Sequence, residues 1–487
     1  MTRQVLAFDF GASSGRAMLG TYDGKTITQN EIHRFANEPV SAAGTLYWDV
    51  LRLFHEVKQG LVKASAASFE SVGIDTWGVD FGLLDAAGNL MNNPVHYRDA
   101  RNVGMSETCR QYIDDRAVYE FTGIQAMDIN TLYQLLYLVR EQSETIERAQ
   151  TLLMMPDLFT YFLTGTKQSE YTEASTSGLL DVTAKTWSDR LLAAVGIPRR
   201  LFTNIVQPGT KAGAIRKDIC DELGIAPVPV ISVAGHDTQS ALAAVPAESD
   251  DFLFISCGTW ALMGTHCAAA DVSEAARSGG FSNEGGFGGI SLLTNITGTW
   301  LIQECRRFWQ LAGESVSYDE LDAAAEASRP FACFIDPCSQ EFTAPGRMPE
   351  RIQSFCRKTG QYVPQTKGEI IRCIHESLAF TYRRVKEQIE TLTGKTYPCV
   401  HMVGGGIKSA ILCRMTADAC GVPVLAGPVE GAVLGNIGIQ MISMGILSDL
   451  GQFREIVQNM PGIVRYEHTQ AGAYDKAFAQ FKGVAAC

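Results

Sequence analysis

DFGASSGR, residues 9–16, is the stretch on which the fold reading turns. The apolar run ahead of it, residues 5–10, reads as a buried strand, and residues 16–22 read as a returning one. A glycine lets the backbone turn tightly between them, and the N–H groups of Ala12, Ser13 and Ser14 can then converge on an anion. Asp9 closes the first strand as a candidate magnesium ligand, usually through water, because this small hard cation keeps part of its shell. Arg16 is placed to reach a terminal phosphate. A plain hairpin with a glycine-rich turn explains the stretch equally well, since the lysine of a P-loop and the G-x-G-x-x-G spacing are both missing.

Half a chain later the opening recurs. Residues 252–256 read as an apolar strand, Cys257-Gly258-Thr259 as a turn and residues 260–264 as a returning strand. Residues 400–403 run into Gly404-Gly405-Gly406 and then a helix over 409–420. The first half supplies further strands at 72–75 and 79–84 and helices at 131–141 and 155–163. Such alternation argues for an α/β fold of layered sheets and helices. Two halves with the same opening suggest two similar domains, 1–246 and 247–487, the last helices packing back on the first. Residue identity between the two turns is slight, so the repeat alone proves nothing.

With 487 residues, 46% of them hydrophobic, the chain can fill two or three cores. Its net charge of −12 repels nucleic-acid phosphate and anionic lipid, which argues against both as partners. A nucleotide stays open, because its charge can be met locally by a metal ion, backbone N–H groups and basic side chains. The N-terminal apolar run is broken by Asp9 and reads as a strand rather than a signal peptide. Residues 422–447, the most membrane-like stretch, contain Pro423, Pro428, Glu430, Asn436 and Gln440, so they read as a buried helix beside a strand. The 13 cysteines are scattered without C-x-x-C spacing, as reduced thiols of a cytoplasmic protein would be. Cys356 and Cys373 are the one pair weighed as a disulfide, with the compartment against it.

Four further stretches carry candidate chemistry. In ISVAGHDTQSALAAV, 231–245, a buried strand ends at Gly235 and a helix begins at Asp237 or Thr238. Asp237 is then either an N-cap or a catalytic base, a carboxylate that the helix terminus keeps ionised at neutral pH. SCGTW, 256–260, places Thr259 to contact a phosphate, although a structural hairpin alone accounts for it. The three glycines at 404–406 allow a flat ligand such as adenine to lie on bare backbone, or simply make a tight packing turn. In GIDTWGVDF, 73–81, followed by HYRDAR, 96–101, Trp77 suits either the C–H face of a sugar or a core position in a sheet.

Taken in order, these wordings resemble the FGGY family of carbohydrate kinases. The resemblance rests on DFGASSGR, GIDTWGVDF, YRDAR, GHDT, SCGTW, NEGG (283–286), WLIQE (300–304) and ADACGVPVLAGPVEGAVLGNIGIQ (417–440), and it spans the whole chain. It implies two ribonuclease H-like domains, the fold of actin and sugar kinases, facing across a cleft that holds ATP, Mg2+ and a ketose. The ketose implied is L-rhamnulose, phosphorylated at its C1 hydroxyl, with L-fuculose as the nearest alternative and a non-kinase actin-like ATPase as a remoter one. Residue by residue, Ala12, Ser13, Ser14, Gly15, Arg16, Thr259, Gln303 and Gly405 would bind ATP. Gly78, His236, Asp237, Thr238 and Asn295 would contact the sugar, with Asp237 as proton acceptor. Cys257 stands where the family pattern has a serine, a small change that leaves the backbone contacts in place.

Overall fold

The computed structural model describes residues 2–11 and 13–485, so Ala12 of the expected anion turn lies outside the described residues. The chain divides into two compact units. The first takes in Met1–Glu248, His266–Leu292 and Gly431–Met460; the second takes in Ser249–Thr265, Leu293–Glu430 and Pro461–Cys487.

The first unit is built on a six-stranded sheet in the order Thr210–Ala214, Pro229–Ser232, Val72–Thr76, Arg3–Phe10, Ser14–Tyr22, Ile27–Ala36. Arg3–Phe10 runs antiparallel to Ser14–Tyr22 and parallel to Val72–Thr76, which sets Asp9 opposite Arg16 on one side and Asp75 on the other. Side chains alternate across a strand. Leu6, Phe8 and Phe10 therefore enter one apolar layer, with Leu53 and Val57 of the Val50–Ala64 helix and Leu158 and Phe159 of the Met155–Thr164 helix.

The Gly431–Ser443 helix lies against the central strands Arg3–Phe10 and Val72–Thr76 and against the Asp237–Ala243 helix. Close approach of the two helices depends on Gly435, where a Cβ would sit 1.7 Å from the carbonyl oxygen of Ser240. Asn436 and Gln440, which interrupt the apolar run in the sequence, sit one turn apart and are both wholly buried. Asn436 Nδ2 donates to Asp75 Oδ2 at 2.5 Å; Gln440 Nε2 donates to Leu6 O at 3.1 Å and to Asn436 Oδ1 at 2.7 Å. Ser71 Oγ completes the ladder by donating to Gln440 Oε1 at 2.7 Å. Buried polar groups persist because each meets a partner. The stretch 422–447 thus supplies a strand, Val424–Ala426, and a buried helix, as expected. Among the described residues no helix is long and apolar enough to cross a membrane.

In the second unit Leu253–Cys257 pairs antiparallel with Trp260–Cys267 and parallel with Val400–Val403. This is the arrangement that Arg3–Phe10 makes with its two neighbours, so the faint repeat in the sequence is a structural one. The 27-residue helix Lys367–Thr393, opened by a capping box of Thr366 and Glu369, packs on the Ala410–Cys420 helix. Cys356 and Cys373 are buried free thiols, joined by Cys333 so that the three sulfurs lie within 4.8 Å of one another.

Two of the boundary shifts from the sequence reading bear on the candidate site. The second strand begins at Ser14 instead of residue 16, so Ser14, Gly15 and Arg16 are strand residues paired with Ala36, Phe35 and Arg34. The strand expected at 79–84 begins at Phe81, because Val79 adopts φ 71°.

Asn436→Leu removes the hydrogen bond to a fully buried carboxylate, and is expected to lower the unfolding free energy by about 1–3 kcal/mol. The loss should grow as pH rises, because the ionised form of Asp75 needs the donor most. Urea unfolding across a pH series checks this; a loss that falls as pH rises would show that the bond does not serve an ion.

Candidate active site

Asp9 and Asp75 end neighbouring parallel strands at matched register. Arg16 donates Nε and Nη2 to a single oxygen, Asp9 Oδ2, at 2.9 and 2.7 Å. The guanidinium expected at a terminal phosphate is thus seated on Asp9 here. Asp75 is wholly buried; burial first, then the charges of Asp9 and Asp237, raise its carboxyl well above the ordinary range against the pull of Asn436. Its Oδ1 is buried without a hydrogen-bond partner. Hard carboxylate oxygens with one left orphaned are a donor set that suits a small divalent cation. The sequence reading gives Asp75 no ligand role; the signal for one is an aspartate just before the last residue of an apolar strand, as at Asp9.

The turn before Arg16 is held by Asn37. That residue donates from its side chain to Gly11 O at 2.7 Å and from its backbone to Ser13 O at 3.1 Å. Ser13 is exposed, Ser14 half-buried and Gly15 buried.

Asp237 is the first residue of the Asp237–Ala243 helix; the N-cap position belongs to His236, whose side chain makes no capping bond. The capping alternative therefore fails by one residue. The Asp237 side chain keeps 30% exposure, and Oδ1 accepts from Thr238 Oγ1 at 3.2 Å. The carboxylate expected to stay ionised at neutral pH is pushed up to about 6 by its buried surroundings, with His236 opposing and Asp9 adding to the rise. Behind it, His236 Nε2 lies 3.7 Å from Asp237 Oδ1 and His236 Nδ1 lies 3.0 Å from Glu284 Oε2. Burial raises Glu284, but the imidazole outweighs it and holds the acid below its ordinary range. Burial likewise lowers His236, yet the Glu284 charge wins and the ring is raised. The sequence offers Glu284 only as part of the NEGG wording and assigns it no role.

Gly78 is half-buried in a strained loop. A β-branched residue at positive φ is unusual, and Val79 is kept there by Thr176 Oγ1, which accepts from its N–H at 3.0 Å, and Thr131 Oγ1, which donates to its carbonyl at 2.6 Å. Trp77 turns inward. It is 6% exposed, its ring centroid lies 4.1 Å from that of Trp48, and both indole N–H groups donate to Asp80 Oδ2, at 3.0 and 2.6 Å. Of the two positions open to Trp77 from the sequence, the structure gives it the core one. Burial pushes Asp80 to about 6, with the two indoles restraining the rise. His96 is buried against Trp48 and lowered to about 4 by desolvation, so within HYRDAR this residue serves the core.

The second unit holds the other candidates. Thr259 is exposed in its turn and donates to Gln303 Oε1 at 3.3 Å; Gln303 Nε2 donates to Thr299 Oγ1 at 3.0 Å. Of the three glycines, Gly404 and Gly406 are packing positions: an added Cβ would meet Cys257 O at 3.0 Å and Cys257 Sγ at 2.3 Å. Gly405 is different, since a Cβ there would meet nothing within 4 Å. Cys257 is a core residue whose thiol burial pushes up to about 11. Asn295 is half-buried in the Gly289–Thr297 strand. Asp9, Gly78, His236, Asp237 and Thr238 belong to the first unit, and Thr259, Asn295, Gln303 and Gly405 to the second.

The chain matches the N-terminal domain of the FGGY family of carbohydrate kinases over residues 4–244 and the C-terminal domain of that family over 253–444. It is 40% identical over 485 residues to a rhamnulokinase of Bacteroides thetaiotaomicron, covering 99% of each chain. It is 37% identical over 486 residues to a rhamnulokinase of Klebsiella pneumoniae, covering 99% of this chain and 98% of that one. Two solved structures from Lactobacillus acidophilus share the fold at 16% identity: a xylulose kinase with TM-score 0.83 (99% of this chain, 97% of that one) and a gluconate kinase with TM-score 0.82 (99% and 98%).

Because the folded-state carboxyl of Asp237 titrates near 6, above its ordinary 3.8, the ionised form works against folding at higher pH. Asp237→Asn should therefore equal or exceed wild type in melting temperature at pH 8. The difference should shrink by pH 5, where the folded wild type is protonated. Calorimetry across that range checks the sign; a variant less stable at pH 8 than at pH 5, relative to wild type, contradicts it.

Proposed function

The chain belongs to the FGGY family of carbohydrate kinases, and on that premise we propose that it transfers the γ-phosphoryl group of ATP to the C1 hydroxyl of L-rhamnulose, giving L-rhamnulose 1-phosphate and ADP in L-rhamnose catabolism. Rhamnulokinases at 37–40% identity over nearly the whole chain support that ketose. The observation that carries the reading is Asp237, a part-exposed carboxylate that no cap requires, held near 6 at the head of a helix.

In the proposed reaction Asp237 accepts the proton of the C1 hydroxyl while that oxygen bonds to the γ-phosphorus. The bond from the γ-phosphorus to the bridging oxygen breaks, and its electron pair leaves with ADP. Phosphoryl transfer passes through a loose transition state, so orientation of the hydroxyl matters more than early deprotonation. A carboxylate near 6 is ionised at neutral pH yet basic enough to take that proton. Gly78, His236, Thr238 and Asn295 are the proposed sugar contacts. Ser13, Ser14, Gly15, Arg16, Thr259, Gln303 and Gly405 are the proposed nucleotide contacts. Asp9, with the charge of Asp75 beside it, would hold magnesium, which when bound neutralises phosphate charge. Free thiols and dependence on ATP suit a cytoplasmic enzyme.

L-rhamnulose is expected to give the highest kcat/KM in an ADP-release assay over a ketose and polyol panel, L-fuculose less, glycerol and gluconate little. Faster turnover of L-fuculose or D-xylulose overturns the substrate, and ATP turnover indifferent to every sugar overturns the kinase reading.

Asp237→Asn should cut kcat by about 10²–10⁴ while leaving ATP affinity unchanged. The wild-type kcat/KM should fall as pH drops through 6, because the ionised carboxylate is the active form. Near-normal turnover by the variant removes Asp237 as the base.

At Gly405, alanine meets no protein atom, so Gly405→Ala should fold normally. If a nucleotide lies over that backbone, its Kd for ATP should rise several-fold, as isothermal titration would show. An unchanged Kd places the nucleotide elsewhere.

A further inference from the structure

Glu284 is a buried carboxylate, 7% exposed, that the proposed transfer does not use. It stands in the Ser282–Gly286 strand, with Oε2 3.0 Å from His236 Nδ1, an ion-pair contact whose angle falls outside a hydrogen bond. The same oxygen accepts from Gln239 Nε2 at 3.0 Å, and Ser291 Oγ donates to Gln239 Oε1 at 2.8 Å. Across the imidazole, His236 Nε2 points to Asp237 Oδ1 at 3.7 Å. Ser291, Gln239, Glu284, His236 and Asp237 therefore form one line that ends at the proposed base. The first four are each less than a tenth exposed. A carboxylate this deep is costly unless it is paired, and a pairing held by a second, itself anchored donor has a fixed geometry.

We propose that Glu284 is a positioning residue for phosphoryl transfer, holding the His236 ring with Nδ1–H toward itself so that Nε2–H faces Asp237 and the sugar hydroxyl beside it. The inference rests on Asp237 being the proton acceptor. The chemistry follows from the two ring nitrogens. A ring paired with Glu284 at Nδ1 and protonated at both nitrogens turns a positive Nε2–H edge toward Asp237 at ion-pair range, which biases one carboxylate oxygen and leaves the other to take the substrate proton. Without Glu284, a neutral ring can turn a bare Nε2 lone pair on the carboxylate, and two acceptors then face each other. The ionisable groups on the elements packed around the ring are Glu284, Asp237, Glu170, Glu173 and Asp75, all carboxylates; the Gly431–Ser443 helix carries none. Glu284 is the largest counter-charge on the ring, and Asp237 and Glu170 add to it.

The test uses the full chain with Glu284→Gln, Glu284→Asp and, as control, Asp237→Asn. Glu284→Gln keeps shape but removes the charge, and should lower kcat by about 10- to 100-fold with KM for ATP unchanged. Glu284→Asp should recover kcat to within about fivefold of wild type. In 15N-histidine NMR across a pH series, His236 should keep its second proton to higher pH in the wild type than in Glu284→Gln. A variant that melts lower but keeps wild-type kcat, or a His236 signal that Glu284→Gln leaves unmoved, overturns the proposal. If Glu284→Gln does not fold, Gln239→Met, which frees Glu284 without discharging it, should lower kcat by about three- to tenfold, and no change overturns the proposal. Full activity in Asp237→Asn sinks the assignment of the base and with it the positioning role, whereas the NMR result separately decides whether Glu284 sets the state of His236.

Discussion

Asp9 and Asp75 end adjacent parallel strands at the same register, so two carboxylates stand side by side where water is scarce. Neighbouring strands are about 4.8 Å apart, and like charges at that range repel by roughly 3 kcal/mol at an effective dielectric near 20. Much of the first unit answers this constraint. Arg16 lies across the hairpin on Asp9, and Asn436 donates to Asp75 from a helix 361 residues further along the chain. That helix is laid on the sheet by the Gln440 ladder to Leu6 and Ser71, while Gly435 lets it close on the Asp237–Ala243 helix. Satisfying one buried carboxylate therefore helps to decide where the Gly431–Ser443 segment docks.

The same electrostatics grades the acids by environment. Asp237 sits near 6 with a partial view of solvent, Asp75 is driven up in full burial, and Glu284 is pulled down by the imidazole it faces. Acids with separated titration ranges around one helix terminus can divide the labour of a proton transfer. The second unit repeats the strand, turn and returning strand without repeating the charge. In place of aspartate and arginine it offers Cys257, buried against Gly406, and an open backbone at Gly405.

Features carried by a few consecutive residues were legible from the chain alone. The strands at residues 5–10 and 400–403, the helices at 131–141 and 155–163, and the buried helix within 422–447 follow from apolar runs, periodicity and turn residues. The order of DFGASSGR, GHDT, SCGTW and the long glycine-rich run was enough for the family, since each motif is local and their sequence is specific. The placement of Asp237 at a helix start was legible too, because a strand, a glycine and a helix-forming run bracket it.

Tertiary structure alone decided which of these residues meet. That Asp75 stands beside Asp9 depends on strand register, and that Asn436 reaches Asp75 depends on a helix returning from the far end of the chain. Trp77 went to the core because Trp48 and Asp80 claimed its face and its N–H, a competition among residues 29 and three positions away in the chain. Val79 took positive φ because Thr131 and Thr176 hold its backbone, against the preference of a β-branched residue for a strand. Glu284 acquired a role only through His236, on a segment that the first unit takes back from the middle of the chain. Local patterns are written in nearest-neighbour chemistry, which one sequence displays directly. Burial, register and charge pairing are set by groups far apart along the chain, and they exist only once the fold has brought those groups together.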